Sequence, residues 1–598
     1  MAPLTVRYAV DPRLQAEANA RGLTYWSAYV AEVLDRLGVC AQPCALGQIS
    51  DPELLARTGA MVLGDVPRSA IPGRADQALR DWVRRGGVLV GFATEGLDEL
   101  FGVADDGTLA QGEDPFQISG YAVLGEAPVT CACRAPIEPE QKLIILSPVR
   151  LLRLTHAEEL ARLFRCAPEA PGDGRLAVDS GRPAITARRF GRGFAFLFAF
   201  NLSQTLWALQ QGRPVDRDYD GDGYLRVSDA CVVGQNSRAV PYADALHFVL
   251  ASMVARLPVP SIYPIPARHG RVPPCLLFFG GDDEAEPHNQ VIASDFMASR
   301  GLPYHLNLMP RAGRFAIDST EQARIEANGH EIALHYDFMD GFQHPCGFTR
   351  ADVLHQARLF RETFGRDSAC SVTHWCRWVG WADAARWMHE AGGIAENHRI
   401  HWTSPPVNPV NRVGFAFGSA FPRHYWDDAA HGNVRLDFLS LPIVAYEAGY
   451  EGDRVFPEMT REALDLAMRY HLTLNYFYHP IYIARSPACR QALDHLVERI
   501  RRLPVPPVLM GPDRLAHWWL ARSQATIQGA LRERRTLSLT AECGWEDGYV
   551  VRIPTGATPA RSCRVDRRLA PLESGLEFGQ YWAHVALPPG RHDLRLRL

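Results

Sequence analysis

Three carboxylates end an apolar run in "CLLFFGGDDEAEP" (residues 275 to 287), where Asp282, Asp283 and Glu284 follow Gly280 and Gly281 without a break. Like charges packed so closely resist burial unless a cation or a proton compensates them, so the stretch calls for a metal, an acid–base role, or both. Imidazoles recur at comparable places downstream. "NGHEIALHYDF" (328 to 338) is a helix-stop glycine followed by a strand bearing His335, "SACSVTHWCRWVGW" (368 to 381) ends a strand at His374, and "HLTLNYFYHPIYIA" (471 to 484) ends one at His479. In a parallel barrel or open α/β sheet the carboxyl ends of the strands share one face, where ligands and catalytic groups collect. Asp282, Asp283, His335, His374 and His479 are therefore expected on one rim.

Taken in order, these motifs resemble the polysaccharide deacetylase superfamily, the NodB-homology carbohydrate esterases. "FFGGDDE" matches the family's strand ending in paired aspartates, "GHEIALH" matches the approach to its second motif, and Tyr478-His479-Pro480 matches the late strand with a lone catalytic histidine. The resemblance implies a deformed (β/α) barrel, a divalent metal, usually zinc, and hydrolysis of an N-acetyl or O-acetyl group on a sugar. Under it, Asp283 and His335 are metal ligands and Asp282 is the general base. His479 protonates the departing amine, and the Tyr336 backbone N–H assists at the oxyanion. The chain departs from the family twice: Met339 stands where a second histidine falls, and "THWCRWVGW" replaces an Arg–Pro motif. His374 is the expected third ligand, with His344 and Asp337 as rivals, and Arg377 and Trp378 are expected on the substrate side. Trp375, Trp378, Trp381, Trp402 and Trp426 serve either as core or as a sugar-stacking platform.

A second acidic motif is "DRDYDGDGYLRVSDA" (216 to 230). With Asp218 first, Asp220, Asp222, Tyr224 and Asp229 take the third, fifth, seventh and twelfth places and Gly223 the turn, the spacing by which one loop wraps a calcium ion. It resembles an EF-hand or dockerin-type loop with Asp in place of Glu at the last ligand; an ion-free Asx-rich turn is the alternative.

The elements that must position these groups fall into several domains, as 598 residues exceed a single core. Residues 1–257 alternate helix and strand: "YWSAYVAEVLDRLGV" has helical spacing, "GAMVLGDV" reads as a strand, and "QALRDWVRRGGVLVGF" as helix, turn and strand. That order predicts a mainly parallel, flavodoxin-like sheet covered by helices. "WVRRGGVLVGF" resembles the amidotransferase-like α/β sandwich domains, but "GFATEG" (Gly91 to Gly96) has no Cys or Ser at its centre, which implies a domain without that chemistry. A Pro-dense linker covers 258–274, the barrel 275–522, and a small β-sandwich 523–598, where short alternating strands are separated by Gly, Pro and Asp turns.

Lys and Arg number 63 against 67 Asp and Glu, so no global field draws the chain to nucleic acid. No basic leader and no run of about 18 apolar residues occurs, and a cytoplasmic protein with no transmembrane segment is expected. Thirteen scattered cysteines read as reduced, mostly buried thiols. The expected function is a metal-dependent carbohydrate N-deacetylase acting on a saccharide or glycan, with Zn2+ as cofactor and a structural Ca2+ in the acidic loop. A metal-dependent hydrolase of a non-sugar amide and a non-catalytic glycan-binding scaffold are the alternatives. The sandwich is read as a structural cap or a carbohydrate binder, and the N-terminal domain as a wall of the cleft or a homo-oligomer interface.

Overall fold

The computed structural model describes all residues except 1, 128–136, 139, 168, 171, 234–239, 344–346, 401–412, 416, 451–455 and 578. His344 and Trp402 thus lie outside the described residues. The chain is a multidomain α/β protein with separate sheets for its successive parts.

The N-terminal part holds a nine-stranded sheet. Gln42–Ala45, Val6–Val10, Ala60–Leu63, Val88–Phe92 and Gly193–Phe198 lie side by side in parallel. The expected parallel sheet then continues into an antiparallel wing of Val178–Phe190, Glu158–Arg165, Gly120–Leu124 and Leu143–Ile145. The reason lies in the connections: only Gly191, at φ 64, and Arg192 join Phe190 to Gly193, a hairpin turn far too short for a helical crossover. Where an amidotransferase elbow would carry its nucleophile, Ala93 is held at φ 54.

The second large sheet is curled. Its parallel strands run in the order Arg435–Ser440, Ala395–Glu396, Cys370–Thr373, Glu331–Tyr336, His305–Leu308, Leu276–Asp282, Thr473–Phe477 and Ala445–Tyr446. Laid flat, eight strands at their usual spacing would span roughly 34 Å. Yet Arg435–Ser440 and Ala445–Tyr446, at opposite ends of that order, are joined by Leu441–Val444 alone, a step of at most about 18 Å. The sheet must therefore roll up until its ends approach each other. Gly281 permits the roll next to the acidic triplet, because a Cβ there would sit 1.6 Å from Tyr478 O.

The last part is a sandwich of a six-stranded and a four-stranded sheet, and the chain outside 523–598 contributes to both. Ala2–Pro3 pairs with Leu531 and Arg532, and Ser261–Ile262 of the proline-rich stretch pairs with Val551 and Arg552. Between the first sheet and the barrel runs an aromatic seam: Trp207 stacks on Trp381 at 5.0 Å and on Tyr29 at 5.1 Å, and Tyr29 meets Trp426 edge-on at 5.6 Å. Trp381 and Trp426 are thus core residues of a domain junction rather than a sugar platform. Among the described residues no helix is long and apolar enough to cross a membrane, and the ten described cysteines are free.

Candidate active site

The carboxyl ends of the barrel strands gather Asp282, His335, His374 and His479, as the strand reading requires, but they seat the acidic triplet differently from expectation. Side chains alternate along a strand, so Asp282 and Glu284 share one side and Asp283 takes the other. Asp283 is 2% exposed and accepts from Gln290 Nε2 at 2.7 Å. Expected as a metal ligand beside His335, Asp283 meets that histidine through its backbone carbonyl, 2.9 Å from Nδ1, while its Oδ2 is buried without a hydrogen-bond partner.

Glu284 takes the central place. Its Oε2 lies 3.2 Å from His374 Nε2 and its Oε1 3.5 Å from His479 Nε2, while Asp282 Oδ2 lies 3.9 Å from His335 Nε2. The outer nitrogen of every ring is committed to an oxygen. His335 Nδ1 faces Asp283 O, His374 Nδ1 lies 3.3 Å from Asp337 Oδ1, and His479 Nδ1 lies 2.6 Å from Glu447 Oε1. His335 Nε2 is buried with no hydrogen-bond partner. Asp282 is fixed from the far side by Asn307 Nδ2 at 3.0 Å. The group is buried except at Glu284, whose side chain is 35% exposed and marks the opening to solvent.

Two of these residues carried no assigned role in the sequence reading. Glu284 follows from the alternation just described. Glu447 has no local signal; it arrives because Tyr446 pairs with Phe477, which sets Glu447 one step from His479 and lets it accept from the His479 backbone N–H at 2.9 Å as well. Asp337, a rival ligand by sequence, orients His374 instead and also accepts from the backbone N–H of Met339.

Charge crowding shifts the groups apart. Burial pushes the Asp282 carboxyl up to about 7, with neighbouring Glu284 adding to the rise against the pull of His479. Burial alone would raise Glu284 too, but hydrogen bonds from His374 and His479 hold it well below the usual carboxylate range. Burial and the His374 charge bring His335 down to about 3. For His374 the carboxylates Asp337 and Glu284 outweigh burial and lift it to about 9, and Glu447 and Glu284 likewise hold His479 well above an ordinary imidazole.

The donor chemistry fits a divalent ion. Three imidazoles with Nδ1 anchored and Nε2 turned inward, next to two carboxylates, form the ligand-plus-anchor pattern of metal-binding histidines. The ring is wider than a coordination sphere: among the described residues, the triples with donor atoms within 4.8 Å of one another lie elsewhere.

The side chains of the remaining expected site residues lie apart. Tyr336, expected to contribute its backbone N–H, turns its side chain away from His335, and its ring stacks on Phe338 at 5.5 Å, with the residue 2% exposed. Arg377 and Trp378 are fully buried: the chain reverses through the tight turn His374–Cys376 and carries them beneath the rim, where Trp378 stacks on Tyr425 at 5.7 Å. Their expected contact with substrate is corrected accordingly. Trp375 alone of that segment's tryptophans is solvent-facing, 44% exposed, with its ring 6.4 Å from that of His374. Its φ of 55° and the 53° of Cys376 are left-handed values that cost on the order of 1–3 kcal/mol each in a non-glycine residue.

In the acidic loop, donor oxygens of Asp218, Asp220 and Asp229 lie within 4.8 Å of one another. Asp222, an expected ligand, accepts at Oδ2 from Arg226 Nε at 2.6 Å, beside a guanidinium that is 1% exposed. Asp218 accepts from the N–H of Gly223 at 2.8 Å and Asp229 from that of Arg226 at 3.0 Å, so Asx-type turns close the loop. The Tyr224 ring leans on Trp375, centroids 5.4 Å apart.

No family model and no curated protein matches the chain. Solved structures similar to parts of it include the Xyl-CE4 domain of a multidomain xylanase from the hindgut metagenome of Trinervitermes trinervoides, at 11% identity over 41% of this chain and 90% of that one, with a TM-score of 0.24. A β-galactosidase from Rahnella sp. R3 is 15% identical over 34% of this chain and 30% of that one, TM-score 0.24. A putative ThuA-like protein from Bacteroides uniformis is 13% identical over 33% and 83%, TM-score 0.23. The chain thus spans about 30% of the length of the β-galactosidase it matches. Likenesses this low carry no argument about activity.

Proposed function

We propose that the chain is a metal-dependent hydrolase that removes an acetyl group from an N-acetylated sugar or glycan. One observation carries the reading: His335, His374 and His479 each commit Nδ1 to an oxygen and turn Nε2 toward Asp282 or Glu284. His335, His374 and Glu284 are the residues to hold the ion, and this mixed imidazole–carboxylate set suits zinc. When bound, such an ion supplies Lewis acidity to the scissile carbonyl and acidifies water.

The chain's own groups do the rest. Asp282, steadied by Asn307, takes the proton from the water that adds to the acetyl carbonyl. His479, kept cationic by Glu447, gives its proton to the amine nitrogen as the C–N bond breaks, leaving acetate and a free amine. Glu447 is a positioning residue: it fixes both the backbone and the ring of His479. Trp375 supports a ring-bearing substrate, since an exposed aromatic face beside His374 offers a stacking surface for a pyranose.

The test joins elemental analysis of the purified protein to acetate release from N-acetylhexosamine oligomers and from non-sugar amides. Zinc near one equivalent with release from the sugars, lost in Asp282→Asn, is expected. Turnover of non-sugar amides alone would move the substrate class, and sugar binding with neither metal nor turnover would make the chain a scaffold.

A further inference from the structure

A cavity of about 60 Å³ lies where the N-terminal domain, the linker, the barrel and the sandwich meet. Helices Val30–Leu37 and Tyr242–Val254, Phe421 and Tyr470 of the barrel, and Trp582 of the sandwich supply its walls, which are mostly apolar. Arg36 lines it, 8% exposed, with its guanidinium carbon 3.3 Å above the Phe421 ring. The Nε and Nη2 atoms of Arg36 are buried without a hydrogen-bond partner. The carboxylate opposite, Asp244, has Oδ1 3.8 Å from Nη2, and it already accepts from Ser419 Oγ at 2.7 Å and from Ala420 N at 3.0 Å. Arg552, on another wall, is paired with Glu577.

A buried guanidinium edge that makes no hydrogen bond, its ion-pair partner 3.8 Å away, leaves the desolvation cost of its donors largely uncompensated. Nε and Nη2 form the side-on fork that matches a carboxylate in bidentate fashion. The size of the cavity narrows the partner further. An apolar cavity of about 150 Å³ accommodates benzene, so one less than half as large suits only a few heavy atoms. Phosphate or sulfate would set a tetrahedral multiple charge against aromatic and aliphatic walls. We propose that this junction cavity binds a small carboxylate, formate or acetate in size, with its two oxygens on the Arg36 Nε–Nη2 edge and any methyl group against the apolar wall. Because the walls come from every part of the chain, occupancy holds those parts together. The inference does not depend on the hydrolase reading.

The experiment uses the full chain with sodium formate and acetate, with butyrate as a carboxylate too large for the cavity, and with sodium phosphate and chloride at matched ionic strength, followed by calorimetric titration and thermal melts. Formate and acetate should release or absorb heat saturably and raise the midpoint by about 2 °C or more, while butyrate, phosphate and chloride do neither. Ala251→Leu, which fills the cavity from its helical wall without touching a charge, should weaken binding at least about tenfold, and Arg36→Lys, which keeps the charge but removes the fork, should do the same. Should Arg36→Lys fail to fold, Ala251→Leu decides alone. No saturable binding up to about 50 mM, an equal response to butyrate, phosphate or chloride, or undiminished binding in Ala251→Leu would overturn the proposal.

Discussion

Two parallel sheets in this chain end their strands at a rim, and the two rims treat charge differently. In the N-terminal sheet, Val88–Phe92 runs into Ala93, held at φ 54, and Thr94, whose hydroxyl donates to Gly64 O at 2.8 Å. Nearby, Arg150 donates to Asp98 at 2.6 Å and to Asp105 at 2.9 Å, while Asp65 accepts from Asn201 Nδ2 at 3.4 Å and burial pushes its carboxyl up to about 6. In the barrel, three imidazoles share two central carboxylates while their outer nitrogens occupy further oxygens. Left-handed non-glycine residues occur at both rims, so strain alone does not mark chemistry. What distinguishes the barrel is a cluster of facing imidazoles and carboxylates whose proton affinities shift against one another, where the other rim raises the carboxyl of Asp65.

Several measurements can break or sharpen this contrast. The largest effect is expected from Asp282→Asn and His479→Ala, each cutting acetate release by about 10²–10⁴-fold, while Ala93→Gly at the other rim leaves turnover within about twofold. A comparable loss from Ala93→Gly would end the comparison. Next in size is the seam that joins the two sheets: Trp207→Ala should cost about 3–5 kcal/mol in urea unfolding without changing kcat of the folded fraction. Within the barrel, Glu447→Gln should lower kcat by about 10–100-fold and move the alkaline limb of the pH profile to lower pH, because the carboxylate that keeps His479 protonated is gone. Unchanged pH limbs would assign Glu447 a merely structural part.

The smallest effect concerns a histidine of the N-terminal domain. Burial, with Arg36 adding to it, holds His247 neutral, with its pKa brought down to about 3. The folded chain therefore binds fewer protons than the unfolded one between about pH 6.5 and 3. Stability is complete above that window and falls with falling pH, by up to about 1.4 kcal/mol per unit. Denaturant midpoints at pH 7 and 5, compared with those of His247→Phe, read this slope directly; parallel pH dependence in both proteins would remove His247 as its source.

Much of the barrel was legible in the sequence because strands buried on both faces read as unbroken apolar runs, and their acidic or imidazole ends stand out. The choice between Asp282 and Asp283 was not, since one residue of strand register decides which side chain turns inward. Glu447 was hidden for a different reason: nothing around it repeats, and only the pairing of Tyr446 with Phe477 brings it to His479. Whether Trp381 and Trp426 were core or platform stayed open in the sequence because their partners, Trp207 and Tyr29, come from a separate part of the chain. The antiparallel wing of the first sheet escaped the helix–strand alternation because its connections are turns.

The pairing of Ala2–Pro3 with Leu531 and Arg532 has a consequence for biosynthesis. Ala2–Pro3 is synthesised long before the strand it pairs with and cannot dock until that strand has emerged, and Ser261–Ile262 waits in the same way for Val551 and Arg552. Both pairings thus close only once the sandwich strands have been made, and a change in Ala2–Pro3 or Ser261–Ile262 would be felt in that sandwich.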